Sequence, residues 1–403
     1  MTKPDVIIIG AGVSGLSAAL ALKARGLTYT ILEATSDVGG RARTLRLPSG
    51  VAADLGPHWL HGEDSDLGEF VRGHKLPGRE DESEAMRVYE GGQCSLLGDD
   101  FLETTIDSDK AAAIRSGKTS DIPISELGRN DEARRILRRF GQGWNGLQAP
   151  TEPSAFEFLT DGNTPGGFQL SGGIASLTSA LADAIGRENI RLDRPVKSIT
   201  ARDNGVMIDD EFAPRVIVTA SLGVWRSEII SLDVDMAEAI RTATAGLVIS
   251  RMNKIILELT PGFFEDRRIP PDFSLQLLDR QPHFCHVRPA GSPLITLFTT
   301  GDQADHSETL SARQAGDYAQ TVLAPVEELK GFEDHLVSEP IVTQWMANPY
   351  ARGAYSALLP GFRRPAPFWQ GRIGVCGDSF DDRFPASLAG AFRSGKRLVE
   401  LMP

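Results

Sequence analysis

Apolar runs and segments with helical spacing alternate at the start of the chain. Residues 5–9 (DVIII) form a β-branched run of the kind found in buried parallel strands. Apolar residues recur at helical spacing over 14–25, and Gly26 ends that segment. A second strand over 28–33 completes a unit of about thirty residues. The opening of the chain therefore predicts a strand–helix–strand crossover.

The remaining chain is a charged middle part followed by strand-rich segments. Residues 76–165 are charged, and a glycine-rich stretch from 166 leads into a helix that ends at 185. Strand-like runs between 250 and 345 indicate an antiparallel sheet. The further predicted elements are helices at 131–140 and 388–401 and strands at 190–192, 196–200, 215–219, 254–259, 294–299, 339–345 and 373–376.

Composition excludes several function classes. The net charge of −12 argues against a nucleic-acid binder and weakly favours a cationic substrate. Three separated cysteines form no C-x-x-C pair, and no HExxH spacing occurs, so neither disulfides nor a metal are expected. No apolar run approaches the ~18 residues that a membrane-spanning helix needs. The first strand starts at about residue 5, which leaves no room for a signal peptide before it. We therefore expect a cytoplasmic protein that binds neither nucleic acid nor membrane.

The turn after the first strand carries a G-x-G-x-x-G pattern. Gly10 permits the tight turn, Gly12 lets the backbone approach a pyrophosphate, and Gly15 lets the helix pack close to the strand. The free N–H groups at the helix start would bind that pyrophosphate. Glu33, at the end of the second strand, is placed to accept hydrogen bonds from a ribose diol. This combination predicts a dinucleotide site.

The next segment distinguishes FAD from NAD. Gly39 and Gly40 form a flexible pair, and Arg41 and Arg43 follow directly. Arginine side chains bind a pyrophosphate bidentately. Because an NAD-type dehydrogenase needs no second phosphate-binding element here, we predict FAD, with Gly40, Arg41 and Arg43 among its contacts.

At these motifs the chain resembles the flavin amine oxidase family, which includes monoamine oxidases, polyamine oxidases and lysine-specific histone demethylases. The block through LEATSDVGGRART is similar to the family's FAD fingerprint, and DLGPHWLHG (54–62) to the segment beside the isoalloxazine ring in polyamine oxidases. Pro195-Val196 resembles a strand on the adenine side, and the chain's end resembles the closing flavin motif, although Asp378 stands where Glu is commoner. The resemblance implies FAD contacts at Gly56, Pro57, His58, Trp59, Val196, Gly377, Asp378, Ser387 and Leu388.

The same resemblance implies a reaction centre in which the flavin does the chemistry. Lys254 matches the lysine that these oxidases hold through a water at flavin N5, and an apolar strand makes an unpartnered lysine costly. Tyr355 and Trp345 resemble the aromatic residues at the substrate face. His61 matches a histidine frequent in polyamine oxidases. An outward-facing lysine and ordinary core packing of the aromatic rings are the alternatives.

Two differences from monoamine oxidases change the expected cofactor and pocket. Ala354 replaces the cysteine that bonds to the flavin, so a non-covalent FAD is expected. Ser387 replaces the second tyrosine of the aromatic cage, which leaves the cage open on one side. Both differences favour the polyamine oxidase and demethylase side of the family.

These observations predict an FAD-dependent amine oxidase. A hydride would pass from the amine's α-carbon to flavin N5, the imine would hydrolyse, and O₂ would reoxidise the flavin to give H₂O₂. The alternatives are an L-amino-acid oxidase, for which GPHWLHG lacks the expected arginine, a desaturase, dehydrogenase or isomerase on the same fold, and a non-catalytic flavoprotein. The amine itself and the oligomeric state are not indicated.

The fold class expected from these motifs is α/β. A Rossmann-like FAD-binding domain over 1–75, 166–240 and 365–403 would be interleaved with a mixed α+β substrate domain over 76–165 and 241–364. The substrate domain is expected to contain an antiparallel-type sheet.

Overall fold

A computed structural model describes residues 3–62, 64–81, 86–90, 93–97, 104–161, 167–278 and 282–403. The predicted start of the glycine-rich stretch at 166 lies outside these residues. Within them, no helix is long and apolar enough to cross a membrane.

A six-stranded sheet combines segments from the start, middle and end of the chain. Its strands are β1 (Val6–Ile9), β2 (Tyr29–Leu32), β9 (Ile190–Arg191), β13 (Arg215–Val218), β22 (Phe368–Gln370) and β23 (Ile373–Val375). They are ordered β22-β23-β13-β1-β2-β9, and every pairing is parallel except that of β22 with β23. The first strand–helix–strand crossover is present as predicted.

The first and last helices cross closely beside this sheet. α1 (Val13–Ala24) begins directly after the glycine turn, and a helix over Leu388–Glu400 ends the chain. A Cβ atom on Gly395 would lie 2.1 Å from the carbonyl oxygen of Ser14, so glycine is required where the two backbones meet. This crossing brings the N-termini of both helices to the same region of the fold.

A seven-stranded sheet is formed mainly by the second half of the chain. Its strands are β6 (Met86–Glu90), β7 (Gln93–Leu97), β16 (Met252–Glu258), β17 (Phe273–Leu277), β18 (His283–Val287), β19 (Leu294–Thr300) and β20 (Ile341–Val342). They are ordered β20-β16-β19-β18-β17-β6-β7. β6 pairs parallel with β17, so the antiparallel sheet we expected is a mixed one. No hairpin joins these two strands, and the hairpin constraint that imposes antiparallel pairing is therefore absent.

The two faces of this sheet differ because successive strand residues point to opposite sides. One face packs against a helix over Ala312–Leu323 in an apolar core. Its strand residues are Ile255, Leu257, Leu275, Leu277, Cys285, Val287, Ile295 and Leu297. The intervening positions are more polar or aromatic, and these form the site described below.

The other strands form four small sheets. They are β3 (Thr44–Arg46), β4 (Ala52–Asp54), β5 (Gly78–Glu80), β8 (Phe168–Leu170), β10 (Ser198–Arg202), β11 (Gly205–Ile208), β12 (Glu211–Ala213), β14 (Ser231–Leu232), β15 (Leu247–Ile249) and β21 (Ser356–Leu358). Two predicted strands are wrong in extent. Val196 lies in the loop before β10, and only Ile341–Val342 of the run 339–345 is a strand.

The α-helices that follow α1 are numbered in chain order. They are α2 (Asp66–Gly73), α3 (Ser108–Arg115), α4 (Asp131–Asn145), α5 (Ala155–Thr160), α6 (Ala175–Ile185), α7 (Leu222–Ser227), α8 (Val234–Ala243), α9 (Pro261–Asp266), α10 (Asp302–Glu308), α11 (Ala312–Leu323) and α12 (Leu388–Glu400). The predicted helices at 131–140, up to 185 and at 388–401 correspond to α4, α6 and α12.

Candidate cofactor and active site

One cavity of about 1000 Å³ is lined by residues of both large sheets. A volume of this order is typical of cofactor and substrate sites. Gly15 does not line the cavity, and a Cβ atom there would lie 2.0 Å from the carbonyl oxygen of Gly10. Every other predicted site residue lies on the wall: Gly10, Gly12, Glu33, Gly40, Arg41, Arg43, Gly56, Pro57, His58, Trp59, His61, Val196, Lys254, Trp345, Tyr355, Gly377, Asp378, Ser387 and Leu388.

The glycine turn forms one end of the cavity. Gly10 has a φ of +99°, and a Cβ atom there would lie 2.5 Å from Oγ1 of Thr219. Gly12 is the N-cap of α1 and supplies no side-chain cap for the first N–H groups of the helix. Because uncapped N–H groups at a helix start favour an anion, this end of the cavity has the chemistry of a phosphate site.

Glu33 ties the glycine turn to the second strand. Its Oε2 accepts a hydrogen bond from the backbone N–H of Ala11 at 2.7 Å. Its Oε1 accepts from the N–H and the hydroxyl of Thr35 at 2.9 and 2.8 Å. Since a carboxylate offers about four lone-pair positions, one remains for a ligand hydroxyl. The side chain therefore orients the turn and can still bind a diol.

Arg41 and Asp378 are paired with each other rather than separate. Arg41 donates to both oxygens of Asp378 and, at 2.7 Å, to the carbonyl oxygen of Ala354. Arg43 donates to the carbonyl oxygen of Gly40 at 3.0 Å. These contacts join three distant parts of the chain at the cavity wall.

The last helix presents its N-terminus to the same cavity. Ser387 is the N-cap of α12, and its Oγ accepts from the N–H of Gly390 at 3.1 Å. The hydroxyl also donates to the carbonyl oxygen of Phe384 at 2.9 Å. The serine at the open side of the expected cage therefore has a local structural role.

Lys254 faces inward, on the wall of the cavity, and is only 3% exposed. Its Nζ donates to the carbonyl oxygen of Asp54 at 2.8 Å and lies 3.4 Å from Nδ1 of His58. The Nζ is also 5.0 Å from the ring centre of Phe298. Burial lowers the pKa of Lys254 to about 8, although the Asp54 carboxylate acts in the opposite direction. The amine can therefore change charge near neutral pH.

Tyr355 and Trp345 form part of the wall beyond Lys254. The Tyr355 hydroxyl donates to the carbonyl oxygen of Trp144, and desolvation raises the pKa of Tyr355 above its usual value. The indole N–H of Trp345 donates to the carbonyl oxygen of Leu55 at 3.0 Å. Both polar groups are thus engaged with backbone, and the aromatic faces are left for contact with a ligand.

Several wall residues were not predicted from the sequence. They lie two positions apart on the strands of the seven-stranded sheet, which is the signal that could have identified them. Phe298 lies opposite both Lys254 and Phe284 in the strand register, so the lysine and two rings form a row across the sheet. Apart from Lys254, which was predicted, the residues of this sheet on the wall are Met86, Met252, Asn253, Ser274, Gln276, Phe284, Phe298 and Thr300.

Known proteins resemble the chain over nearly its whole length. The sequence model of the flavin containing amine oxidoreductase family matches residues 13–402. Polyamine oxidase 4 of Oryza sativa subsp. japonica is 26% identical over 89% of this chain and 79% of the relative. Polyamine oxidase 2 of Arabidopsis thaliana is 25% identical over 98% of this chain and 87% of the relative.

Two solved structures share the fold. Putrescine oxidase bound to putrescine superposes with a TM-score of 0.81 at 19% identity, covering 99% of this chain and 98% of the other. Cyclohexylamine oxidase from Brevibacterium oxydans superposes with a TM-score of 0.77 at 19% identity, with 99% and 98% coverage. The mixed α/β fold is therefore that of flavin amine oxidases.

Together, the fold and the family match define a flavin-dependent oxidoreductase. The chain belongs to the flavin containing amine oxidoreductase family, and it is an amine oxidase that uses FAD. The cavity fits that cofactor on structural grounds, because it begins at an uncapped helix N-terminus and requires glycine along its wall. A Cβ atom on Gly56, for example, would lie 1.9 Å from the carbonyl oxygen of Arg41.

Proposed function

We propose that this protein binds FAD without a covalent bond and oxidises a small amine, with O₂ as the electron acceptor. One observation supports this most strongly: a buried lysine and an aromatic wall share a single cavity with the glycine turn. The amine would contact the end bounded by Lys254 and Tyr355, and the nucleotide part of the cofactor the opposite end.

The chain's residues would hold FAD along the cavity. The N-terminus of α1 and Arg43 would contact the pyrophosphate, and Glu33 the adenosine ribose. The N-terminus of α12 would face the ring system, where a helix dipole favours negative charge. When bound, FAD would supply the two-electron chemistry, which oxidises the amine to an imine and reduces O₂ to H₂O₂; the imine would hydrolyse separately.

The Rossmann-like division of the chain follows from this proposal. Parts 1–75, 166–240 and 365–403 contain the six-stranded sheet and α1, and they would bind the cofactor. Parts 76–165 and 241–364 contain the seven-stranded sheet, and they would form the substrate side.

The protein's own contribution at the reacting end is placement and exclusion of water. Flat faces of Tyr355 and Trp345 would orient a neutral amine beside the flavin. Lys254 has one N–H remaining after its contacts with Asp54 and His58, and it would direct that donor or its charge into the cavity. His61 lies on the wall beside Trp59, with ring centres 6.4 Å apart, and would contact the substrate.

The wall favours an amine with a hydrocarbon body. Phe284, Phe298 and Trp144 give an apolar surface, while Asp81 and Glu157 also reach the cavity. Glu157 is paired with Arg364 at 2.7 Å, and Asp81 accepts from the indole of Trp59. Because three aromatic rings line this part of the cavity and Arg364 neutralises Glu157, aromatic and cycloalkyl amines are expected to compete well with the linear diamines and polyamines of the related enzymes.

The experiment is anaerobic mixing of the FAD-loaded protein with an amine panel while flavin absorbance is recorded. The panel contains putrescine, spermidine, benzylamine, cyclohexylamine and L-amino acids. Bleaching by one class, with recovery and H₂O₂ release in air, is the expected result. A flavin that dithionite reduces but no amine bleaches contradicts the proposal and favours a desaturase or isomerase.

A further inference from the structure

Four buried side chains form a continuous series from the cavity wall into the protein. Lys254 Nζ lies 3.4 Å from His58 Nδ1, and His58 Nε2 lies 3.0 Å from His286 Nδ1. His286 Nε2 in turn lies 3.4 Å from Oδ1 of Asp272. Asp272 and His286 are fully buried, and His58 is 8% exposed. The series starts at the proposed reaction site and ends at a carboxylate away from it.

Asp272 is surrounded by donors, as an ionised carboxylate would be. It accepts hydrogen bonds at 2.8 Å from Arg79, from the Gln169 amide and from the backbone N–H of Ala290. Burial raises its pKa, but the neighbouring His286 ring and the hydrogen bonds from Gln169 and Ala290 outweigh this, so the pKa of Asp272 lies below its usual value. The series therefore ends in a negative charge.

An ionised carboxylate at one end determines the tautomer of each histidine. Asp272 only accepts, so Nε2 of His286 must carry the proton that faces it, and Nδ1 of His286 is then an acceptor. His58 must consequently carry its proton on Nε2, which leaves its Nδ1 to accept from the ammonium of Lys254. Burial, followed by the charge of Lys254, holds the pKa of His58 well below its usual value, so this ring is neutral. Every polar hydrogen in the series points the same way.

We propose that His58 and His286 relay a proton from Lys254 to the His286 ring beside Asp272. The Lys254 N–H bond breaks as a bond to His58 Nδ1 forms, and the His58 Nε2–H bond breaks as a bond to His286 Nδ1 forms. The lysine becomes neutral and His286 becomes an imidazolium beside Asp272. One proton moves in each link, the total charge is unchanged, and no water is needed at the cavity wall.

The charged groups around the series favour this shift. Asp81 lies next to the far end, where ligand atoms of Asp81, Asp272 and His286 are all within 4.8 Å of one another. Two carboxylates there would stabilise an imidazolium on His286, and among the described residues Arg79 is the cation that contacts Asp272. At the Lys254 end of the series, the Asp54 carboxylate accepts hydrogen bonds from the Thr44 hydroxyl at 2.6 Å and from the N–H of Ile174 at 2.8 Å.

The same three ligand atoms could instead hold a divalent cation. Asp272, however, already accepts from three donors, one of them cationic. A metal ion would have to displace these donors, whereas the relay leaves them in place. Binding of Zn²⁺ is nevertheless one outcome of the test.

The purpose of the relay rests on the proposed function, but its test does not. We would record ¹⁵N spectra of the histidine rings in the FAD-loaded protein at pH 7, without any amine. The expected result is that His58 and His286 are both neutral and carry the proton on Nε2. A proton on Nδ1 of His58 overturns the proposal, as does a shift of His286 signals on addition of stoichiometric Zn²⁺.

Variants test whether orientation passes along the series. Asp272 does not touch His58, yet Asp272→Asn should leave His58 without a single preferred tautomer. Lys254→Met should leave the His58 tautomer unchanged. If Asp272→Asn does not fold, His286→Phe keeps a ring against Trp59 and should have the same effect on His58. His283→Phe, on the same strand but facing Tyr318, is the matched control. An unaltered His58 tautomer in Asp272→Asn or in His286→Phe overturns the proposal.

Proton transfer itself is tested by reoxidation. After reduction with dithionite, His286→Phe should be reoxidised by O₂ about a hundredfold more slowly than wild type, the lower end of what a positioned proton-transfer group contributes. The His283→Phe control should keep the wild-type rate. An unchanged rate in His286→Phe would mean that the series only orients Lys254, and it would overturn the relay. Because neither readout involves an amine, failure of the relay and failure of amine oxidation are distinguishable.

Discussion

The two ends of the cavity are built from different parts of the polypeptide. At the glycine turn, backbone atoms of consecutive residues form the wall, and a Cβ atom on Gly10 would lie 2.5 Å from Thr219. At the sheet end, side chains from β16 to β19 form it, and β17 and β19 each contribute residues two positions apart. At Gly10 and Gly15 the first end has no room for an added Cβ atom. The second is a set of separate side chains that can change one at a time.

This difference teaches where cofactor choice and substrate choice reside. A nucleotide is recognised by N–H groups, a helix terminus and one carboxylate, which requires a fixed backbone. An amine is recognised by the shape and polarity of a pocket, which scattered side chains determine. Substitutions at the glycine turn should therefore affect cofactor binding, and substitutions at the sheet end should affect the reaction and the choice of substrate.

The largest effect is expected for Gly15→Val. The added Cβ would lie 2.0 Å from the carbonyl oxygen of Gly10, and backbone cannot move aside cheaply. We expect loss of bound FAD and destabilisation by more than about 3 kcal/mol, measured by flavin content and chemical denaturation. Gly73→Ala is the control, since no atom lies within 4 Å of its Cβ position. A yellow, stable Gly15→Val protein would contradict this account of the turn.

Lys254→Met should leave the cofactor end intact and damage the reacting end. We expect flavin reoxidation to slow roughly 100-fold, because a single preorganised charge or donor contributes on that scale. Stopped-flow mixing of the reduced protein with O₂ measures the rate. Lys330→Met removes an exposed lysine and should have no effect. Equal reoxidation rates in the Lys254 variant and wild type would remove the proposed role.

Phe284→Ala should alter substrate preference while FAD content persists. Removing this ring from the wall removes apolar contact with the substrate. The value of kcat/KM for a cycloalkyl or aryl amine should therefore fall roughly 10–100-fold. A short alkyl amine assayed on the same variant serves as the internal control and should change little. If both amines lose activity equally, the ring supports the fold and does not select the substrate.

The smallest expected effect is on stability at alkaline pH. Lys254 has a folded pKa of about 8 against 10.5 for the free side chain, so between these values the unfolded chain binds more protons. Stability of wild type relative to Lys254→Met should therefore rise as the pH increases through this window, by at least about 1 kcal/mol. Urea denaturation of both proteins at several pH values measures it. A difference independent of pH would mean that the lysine is not desolvated.

The sequence alone determined much of the cofactor end. Gly10, Gly12 and Glu33 are close in the chain, and their spacing follows from a single strand–helix–strand unit whose geometry is nearly invariant. The boundaries of β1, β2 and α1 agree with the prediction to within about two residues. Local rules suffice where the wall consists of backbone.

Only the tertiary structure decided what the side chains at both ends contact. Arg41 and Asp378 are 337 positions apart and form an ion pair that their individual motifs do not predict. His58, His286 and Asp272 similarly meet through the pairing of distant segments. The parallel pairing of β6 with β17 was missed for the same reason. Contacts between remote segments depend on sheet order and register, and these are set by the burial of the whole chain and not by any short pattern within it.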